Sequence, residues 1–236
     1  MPSTSTIILA GGLSTRFGFD KVFAKLKGKA LLLHVVDAVK DVTDETLVVV
    51  GNLEQKSRLL EIRNSLNVVV DNIDIRSPLT GAISGFEKAK GEFSILLPSD
   101  TPLLSRDILL LLLRLSYGYE ATIPRWPNWN IEPLQAVYET AKMLAAMNEA
   151  FRSGELRIYD AIKRLRKVLY ISTDILRAYD HELNTFENVN TVSDLKRVES
   201  IASRKRHQKP VSTHTPNFPL KETLHPFFKI GNSSYQ

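Results

Sequence analysis

The sequence contains no cysteine among its 236 residues. A disulfide framework, a thiolate nucleophile and a zinc–thiolate site are therefore excluded. The five histidines form no metal-binding cluster, no Ser-His-Asp order stands out, and no two carboxylates are placed as a catalytic pair. His34 lies inside an apolar helical pattern and is interpreted as a core or boundary residue rather than a base.

Long hydrophobic runs are also absent. The run from Ile108 to Leu113 ends at Arg114, well short of the ~18 apolar residues of a membrane span. The first residues carry no basic segment, and the apolar stretch 6–10 is too short for a secretory signal. The sequence therefore predicts a cytoplasmic protein that makes no membrane contact.

The net charge of +5 is not spread along the chain. Residues 203–236 hold six basic residues against the single acid Glu222, which leaves 25 basic and 25 acidic residues elsewhere. Because the body is neutral, nothing in it indicates binding to nucleic acid. The same segment contains four prolines among polar residues. We predict a domain over 1–202 and a basic, proline-containing C-terminal tail over 203–236 that is flexible and poorly ordered.

The composition, 43% hydrophobic and 24% charged, allows one large α/β domain or two small ones. Apolar, β-rich runs alternate with amphipathic helical patterns, which is typical of parallel βαβ units. Strands are predicted at residues 6–10, 46–51, 67–71, 93–98, 121–124, 133–138 and 168–172. Helices are predicted at residues 31–40, 54–66, 80–90, 107–115, 140–152, 157–167 and from after Asn190 to about 202. The pattern predicts an α/β fold with a doubly wound, mostly parallel sheet.

A glycine-rich loop follows the first predicted strand. Gly11, Gly12 and Gly18 let the main chain approach phosphate oxygens, and Arg16 and Lys21 supply positive charge. The glycine spacing matches neither a Walker loop nor a dinucleotide fingerprint. We interpret the loop, with the main chain of the preceding Leu9 and Ala10, as another kind of nucleoside triphosphate site. Lys21 and Arg16 would there stabilise charge that develops on the transferred phosphoryl group and on pyrophosphate.

Asp100 lies directly beyond the apolar strand predicted at 93–98, at a position where ligands commonly bind. Ligands of open parallel sheets bind beyond the carboxyl ends of the strands. One carboxylate, together with triphosphate oxygens and water, satisfies Mg²⁺. A turn-forming aspartate bonded to nearby main-chain N–H groups is the alternative.

These features and four later segments carry a family resemblance. Residues 9–21 match the pattern Leu-Ala-Gly-Gly-x-Ser-x-Arg-Met-Gly-x-Asp-Lys, with Phe17 in place of Met. The later segments are Pro78-Leu79-Thr80-Gly81, Pro98-Ser99-Asp100-Thr101-Pro102, Glu132-Pro133-Leu134 and Asn188-Val189-Asn190-Thr191 with Asp194-Leu195. In this order, residues 4 to about 200 resemble the molybdenum cofactor guanylyltransferases. These belong to the glycosyltransferase-A-like nucleotidyltransferase superfamily, whose fold is Rossmann-like.

The resemblance implies a Mg²⁺-dependent transfer of GMP from GTP to the terminal phosphate of molybdopterin or the molybdenum cofactor, with release of pyrophosphate. It also implies that Asp100 binds magnesium, that Asp71 reads guanine, and that the segment ending at Gly81 opens a helix beneath the nucleotide. Asn188 and Asn190 would lie near the metal and the acceptor. The implied protein partner is a molybdenum-insertion or cofactor-delivery protein.

Alternatives remain open at several positions. Asp71 also fits a polar loop, and Asn188 or Asn190 also fits a helix cap. The loop of Trp126, Asn128 and Trp129 lies where a flat pterin could stack, although exposed aromatic side chains more often pack on neighbouring chain. The transferase could use CTP or another phosphorylated acceptor, such as a sugar phosphate or cobinamide phosphate. A non-catalytic GTP-binding regulator that docks through the tail is the alternative from another class.

Overall fold

In the computed structural model, residues 2–11 and 21–207 are described. The strands are β1 (Thr4–Leu9), β2 (Lys25–Leu26), β3 (Lys29–Ala30), β4 (Glu45–Val50), β5 (Asn67–Val70), β6 (Phe93–Pro98), β7 (Ala121–Arg125), β8 (Ala136–Glu139) and β9 (Val168–Ser172). The α-helices are α1 (Leu31–Val39), α2 (Leu53–Ile62), α3 (Pro78–Phe86), α4 (Arg106–Leu115), α5 (Thr140–Arg152), α6 (Ile158–Ile162), α7 (Thr173–Leu176) and α8 (Val192–His207). Two short 3-10 helices span Lys21–Phe23 and Asn184–Phe186.

Seven of these strands form one sheet in the order β5-β4-β1-β6-β8-β7-β9. All neighbouring pairs are parallel except those made by β8, which is antiparallel to both β6 and β7. The predicted α/β fold with a doubly wound, mostly parallel sheet is therefore confirmed. The order reverses at β1, which pairs with β4 on one side and with β6 on the other.

Helices cover both faces of the sheet, which explains why its central strands are apolar without alternation. In β1, Ile8 packs in the cluster beneath α1, α2 and α4, whereas Ile7 packs in the cluster beneath α3, α5 and α6. Both side chains are completely buried. Within the described ranges, no helix combines the length and the apolarity that a bilayer crossing requires.

Several predicted elements differ in extent. The helix predicted at 54–66 is Leu53–Ile62, the helix predicted at 80–90 is Pro78–Phe86, and the strand predicted at 133–138 is Ala136–Glu139. The predicted helix at 157–167 is only the five-residue α6, because the chain beyond it pairs with Glu120. The Glu120 carboxylate accepts from the main-chain N–H groups of Arg166 and Lys167, and the Lys167 carbonyl accepts from Glu120 N at 2.8 Å. These bonds draw the chain into β9. The last helix continues past the predicted end at about 202 to His207.

The β2–β3 hairpin was not predicted from the sequence. Its two-residue turn places Lys27 at φ 50° and Gly28 at φ 81°, the positive angles of a tight hairpin turn. The hairpin packs through Ala24 and Leu26 in a third cluster, which is completed by Leu31, Val189 and Val198. This third cluster joins the segment after the glycine loop to α8.

His34 joins α1 to the hairpin, since its Nε2 donates to the Leu26 carbonyl at 3.0 Å. Burial, the largest influence, lowers the pKa of His34 below its usual 6.5. The folded protein thus binds this proton less readily than the unfolded chain does, and stability is lost as the pH falls from 6.5 through the folded-state pKa.

We therefore expect His34→Gln to flatten the pH dependence of stability, because glutamine can still donate to Leu26 but does not titrate. The measurement is the melting temperature of both proteins between about pH 7.5 and about pH 5.5. An equal decrease in the two proteins would contradict the assignment.

Candidate active site at the carboxyl edge of the sheet

The residues that follow the central strands meet at one edge of the sheet. Ala10 N donates to the Val49 carbonyl at 2.7 Å, and Asp71 N donates to the Val50 carbonyl at 2.8 Å. On the other side of β1, Leu9 pairs with Pro98, and Ser99 N donates to the Leu9 carbonyl at 3.1 Å. The start of the glycine loop and the segment that carries Asp100 are therefore adjacent. Gly12 and Arg16 lie outside the described residues, as does the side chain of Lys21.

Gly11 is in close backbone contact with Gly51, which follows β4. A Cβ atom at Gly11 would lie 2.8 Å from Gly51 N, closer than real Cβ atoms approach such groups. Gly51 N in turn donates to Gln55 Oε1 at 2.8 Å. Gly11 is thus required for packing against the loop after β4, in addition to its predicted role at phosphate. Gly51 was not identified from the sequence, because the contact joins residues that are distant along the chain.

Asp100 lies beside the asparagine segment that precedes α8. Val189 N donates to the Asp100 carbonyl at 2.9 Å, and the Val189 side chain is completely buried in the third cluster. Asn188 and Asn190 flank this anchor and are both exposed. The structure therefore brings together three predicted site residues from two distant parts of the chain.

The N-terminus of α8 is capped by Thr191 and Asp194. Thr191 Oγ1 accepts from Asp194 N at 3.1 Å, and Asp194 Oδ2 accepts from Asn190 N at 3.0 Å. The bond from Asn190 N is the largest influence that lowers the pKa of Asp194. Capping at this helix start is thus supplied by the Thr191 and Asp194 side chains.

Asp71 is buried and joins the end of β5 to α3. Oδ1 accepts from Ser84 Oγ at 2.8 Å and from Ile73 N at 3.1 Å, while Oδ2 accepts from Thr80 Oγ1 at 3.2 Å. Arg76 Nη1 lies 3.7 Å from Oδ2. Both carboxylate oxygens therefore already accept hydrogen bonds from within the protein. The predicted role of Asp71 in reading guanine remains a prediction, and these bonds give it a structural role as well.

Two glycines of α3 differ sharply in the space around them. A Cβ atom at Gly85 would lie 2.4 Å from Ile7 Cγ2 and 3.0 Å from Val49 Cγ2, so α3 packs on the sheet through this residue. At Gly81 the nearest atom, Leu9 Cδ2, would be 3.6 Å away, an ordinary contact. Packing thus explains Gly85 but leaves Gly81 available for its predicted place beneath the nucleotide.

We expect Gly85→Ala to lower the free energy of unfolding by about 1–3 kcal/mol, through overpacking against β1. Gly81→Ala serves as the matched variant, which should keep or raise stability because alanine favours a helix by up to ~1 kcal/mol. Urea unfolding measures both effects. Equal destabilisation by the two variants would contradict the packing difference.

The loop between β7 and β8 is fixed by the first residue of the Glu132-Pro133-Leu134 segment. Trp126 Nε1 donates to Glu132 Oε1 at 2.6 Å, and the Trp126 ring meets the Phe186 ring edge-on, with 5.5 Å between centroids. Burial raises the pKa of Glu132, with the bond from Trp126 opposing it. Trp126 therefore packs against other residues of the same protein, whereas Trp129, at the tip of the loop, is 66% exposed.

The side chains at this edge that could coordinate a metal ion offer oxygen atoms, the ligand type that magnesium prefers. Among the residues that the structure describes, no cluster of three or more His, Asp or Glu side chains could hold a metal ion. Asp100 and the exposed amides of Asn188 and Asn190 fit instead a site at which the protein supplies few ligands and a phosphorylated substrate supplies the others.

Comparison with known proteins gives concordant results. Residues 6–168 match the MobA-like NTP transferase domain. The chain is similar to the probable molybdenum cofactor guanylyltransferase of Methanosarcina mazei, with 30% identity over 207 residues that cover 85% of this chain and 92% of the relative. It is also similar to the molybdenum cofactor guanylyltransferase of Desulfosudis oleivorans, with 31% identity over 202 residues, or 85% and 96% of the two chains.

A solved structure agrees with these relatives. Molybdopterin-guanine dinucleotide biosynthesis protein A from Archaeoglobus fulgidus superimposes with a TM-score of 0.73 at 27% identity. The match covers 85% of this chain and 99% of that chain. The similarity therefore extends over most of the described fold as well as over the motifs.

Proposed function

The chain belongs to the MobA-like NTP transferase family, and from this premise we propose that it transfers GMP from GTP to the terminal phosphate of molybdopterin or its molybdenum-loaded form. An oxygen of the acceptor phosphate attacks the α-phosphorus of GTP and forms the new P–O–P linkage. The bond between the α-phosphorus and the bridging oxygen breaks, and pyrophosphate leaves. The product is a guanine dinucleotide form of the cofactor.

The observation that carries this proposal is the meeting of three segments at the carboxyl edge of the sheet. Leu9 pairs with Pro98 at the end of β6, and the Asp100 carbonyl accepts from Val189 N. A triphosphate bound along the loop after β1 would therefore lie against Asp100 and the exposed amides of Asn188 and Asn190. A ligand at this position spans the point where the strand order reverses.

We assign the nucleotide to the side of the edge formed by β1, β4 and β5. The main chain of Leu9, Ala10, Gly11 and Gly12 would surround the phosphates, with Arg16 and Lys21 as cations. In this arrangement Asp71 and Gly81 would lie toward the guanine. Asp100 would hold magnesium, which when bound neutralises phosphate charge, and Asn188 and Asn190 would complete the acceptor side.

No dedicated general base is required for this reaction. The second pKa of a phosphate monoester is about 6, so the acceptor phosphate is already largely dianionic at neutral pH. Catalysis then depends on positioning the two phosphates and on stabilising the negative charge that develops. The loop cations and the main-chain N–H groups of the glycine loop would do this.

The decisive experiment is mass spectrometry of the product after incubation with GTP, magnesium and molybdopterin. The proposal predicts the guanine dinucleotide and one pyrophosphate per product formed. Thermal-shift measurements with GTP, CTP, ATP and UTP give a second test, because a ligand at 100 times its Kd stabilises the fold by about 2.7 kcal/mol. A larger shift with CTP than with GTP, or no product with GTP, would contradict the assignment.

Asp71→Asn separates the two roles of this residue. An asparagine cannot accept on both side-chain atoms from Ser84, Ile73 and Thr80, so we expect a loss of about 1–3 kcal/mol in the free energy of unfolding. We also expect a smaller thermal shift with GTP and a weaker preference for GTP over CTP. Asp74→Asn, at an exposed position three residues later, is the control. An unchanged GTP preference would place guanine recognition elsewhere.

A further inference from the structure

Arg125 lies at the end of β7 in an unusual environment. Its guanidinium carbon is 4.6 Å from the centroid of the Trp129 ring and 5.1 Å from that of Tyr170. Within residues 2–11 and 21–207, no carboxylate lies within ion-pair distance of this guanidinium. A half-buried cation stacked on aromatic rings retains its charge and its in-plane donors for a ligand.

Trp129 is held over Arg125 by a well-bonded loop. Trp126 N donates to the Asn130 carbonyl at 2.8 Å, and Trp129 N donates to the Trp126 carbonyl at 2.9 Å. Trp129 itself has φ 71°, a left-handed conformation that is costly for a bulky residue. A bulky residue held in a strained conformation at 66% exposure is a candidate for a functional role.

The position of this cluster relative to Asp100 follows from the sheet. β8 is antiparallel to both β6 and β7, so β6 and β7 run in the same direction and end at the same edge. They are two strand spacings apart, about 10 Å. The cluster therefore lies beside Asp100 on the side away from β5, where the nucleotide base is assigned.

Arg125 and Tyr170 also lie on the face of the sheet that carries α3. The register pairs Ile123 with Tyr170 and Arg125 with Ser172, which places Arg125, Ile123 and Tyr170 on one face. Ile123 packs in the same cluster as Leu79 of α3. The helix assigned beneath the nucleotide and the Arg125 cluster thus share one face at one edge.

We propose that Arg125 and Trp129 bind the acceptor, with its pterin stacked on the indole face opposite the guanidinium and an anionic oxygen of the acceptor bonded to the guanidinium. This inference rests on the proposed function and extends it to the substrate that the nucleotide motifs do not contact. The pyrimidine ring of a pterin is flat, and the acceptor carries anionic oxygens, so an aromatic face beside a cation matches it in shape and charge.

The test compares Trp129→Ala and Trp129→Phe in steady-state kinetics with molybdopterin and GTP. We expect Trp129→Ala to raise the KM for the acceptor about tenfold or more, the size typical of losing one stacked ring, with the KM for GTP unchanged. Trp129→Phe keeps an aromatic face and should recover most of the loss. Tyr117→Ala is the matched control, since this exposed tyrosine lies between α4 and β7 at the opposite edge.

Melting temperatures distinguish binding from a structural role. Trp129→Ala should leave the melting temperature unchanged. A lower melting temperature with both KM values raised would show a structural role and overturn the inference, as would an unchanged acceptor KM.

Tryptophan fluorescence provides a readout without turnover, because the chain has only two tryptophans. Added molybdopterin should quench the emission of the unaltered protein at saturable concentrations, and much less that of Trp129→Phe, in which Trp126 is the single tryptophan and keeps its bond to Glu132. If the unaltered protein forms no guanine dinucleotide, the proposed function fails, and quenching then decides the stacking inference separately. Absence of quenching overturns it.

Discussion

Asp100→Asn is expected to reduce kcat by roughly 10³-fold, the scale of losing a group that stabilises transition-state charge. In the proposed site, the substitution replaces a hard, charged ligand for magnesium by a neutral amide, which binds the ion less tightly. The fold should persist, because the contact that anchors this segment is made by the main-chain carbonyl of Asp100 with Val189 N and is independent of the side chain.

The measurements are kcat, its dependence on magnesium concentration, and the melting temperature. Glu87→Gln is the control, since it makes the same chemical change at an exposed position after α3. It should leave all three quantities unaltered. Turnover by Asp100→Asn within tenfold of the unaltered protein would contradict the proposal that Asp100 holds magnesium.

Lys21→Ala should likewise remove nearly all turnover while the fold stays intact. In the proposed mechanism, this cation at the end of the glycine loop stabilises charge on the transferred phosphoryl group and on pyrophosphate, so its loss should cost roughly 10³-fold in kcat. Lys25→Ala is a close control, because this lysine is exposed on β2 only four residues later.

Two measurements separate catalysis from binding for Lys21. Rapid-quench kinetics give the rate of GMP transfer, and the thermal shift with GTP reports binding. We expect the rate of the chemical step to fall much more than the affinity for GTP. A near-normal rate in Lys21→Ala would refute its catalytic role, whatever the effect on binding.

The central fold was predictable because its strands are apolar on both faces. The strand at 93–98 was predicted with the bounds that the structure shows, and so were the helix at 140–152 and the strand at 168–172. Elements whose bounds depend on tertiary contacts were not predictable from the sequence. The pairing of Glu120 with residues 166 and 167 ends α6 early, and the two-residue strands of the hairpin are too short to give a periodic signal.

The position of a candidate site residue was predictable where it follows from a local pattern, and less so where its partners are distant in sequence. The position of Asp100 at a strand end follows from the chain pattern alone. The hydrogen bond from Ser84 to Asp71 joins residues 13 apart, and the contact of Gly11 with Gly51 joins two separate loops. Neither leaves a periodic signal. The stacking of Arg125 on Trp129 and Tyr170 likewise depends on strand pairing.

The buried Val189 side chain has a consequence for biosynthesis of the protein. During translation, the nascent polypeptide completes its first six strands well before residue 189 leaves the ribosome. Until then the loop at position 100 lacks its main-chain donor, and the hairpin after the glycine loop lacks two of the apolar side chains that cover it. The segment that carries Asp100 and the hairpin therefore reach their final packing late, when the closing helix docks, rather than when the glycine loop is made.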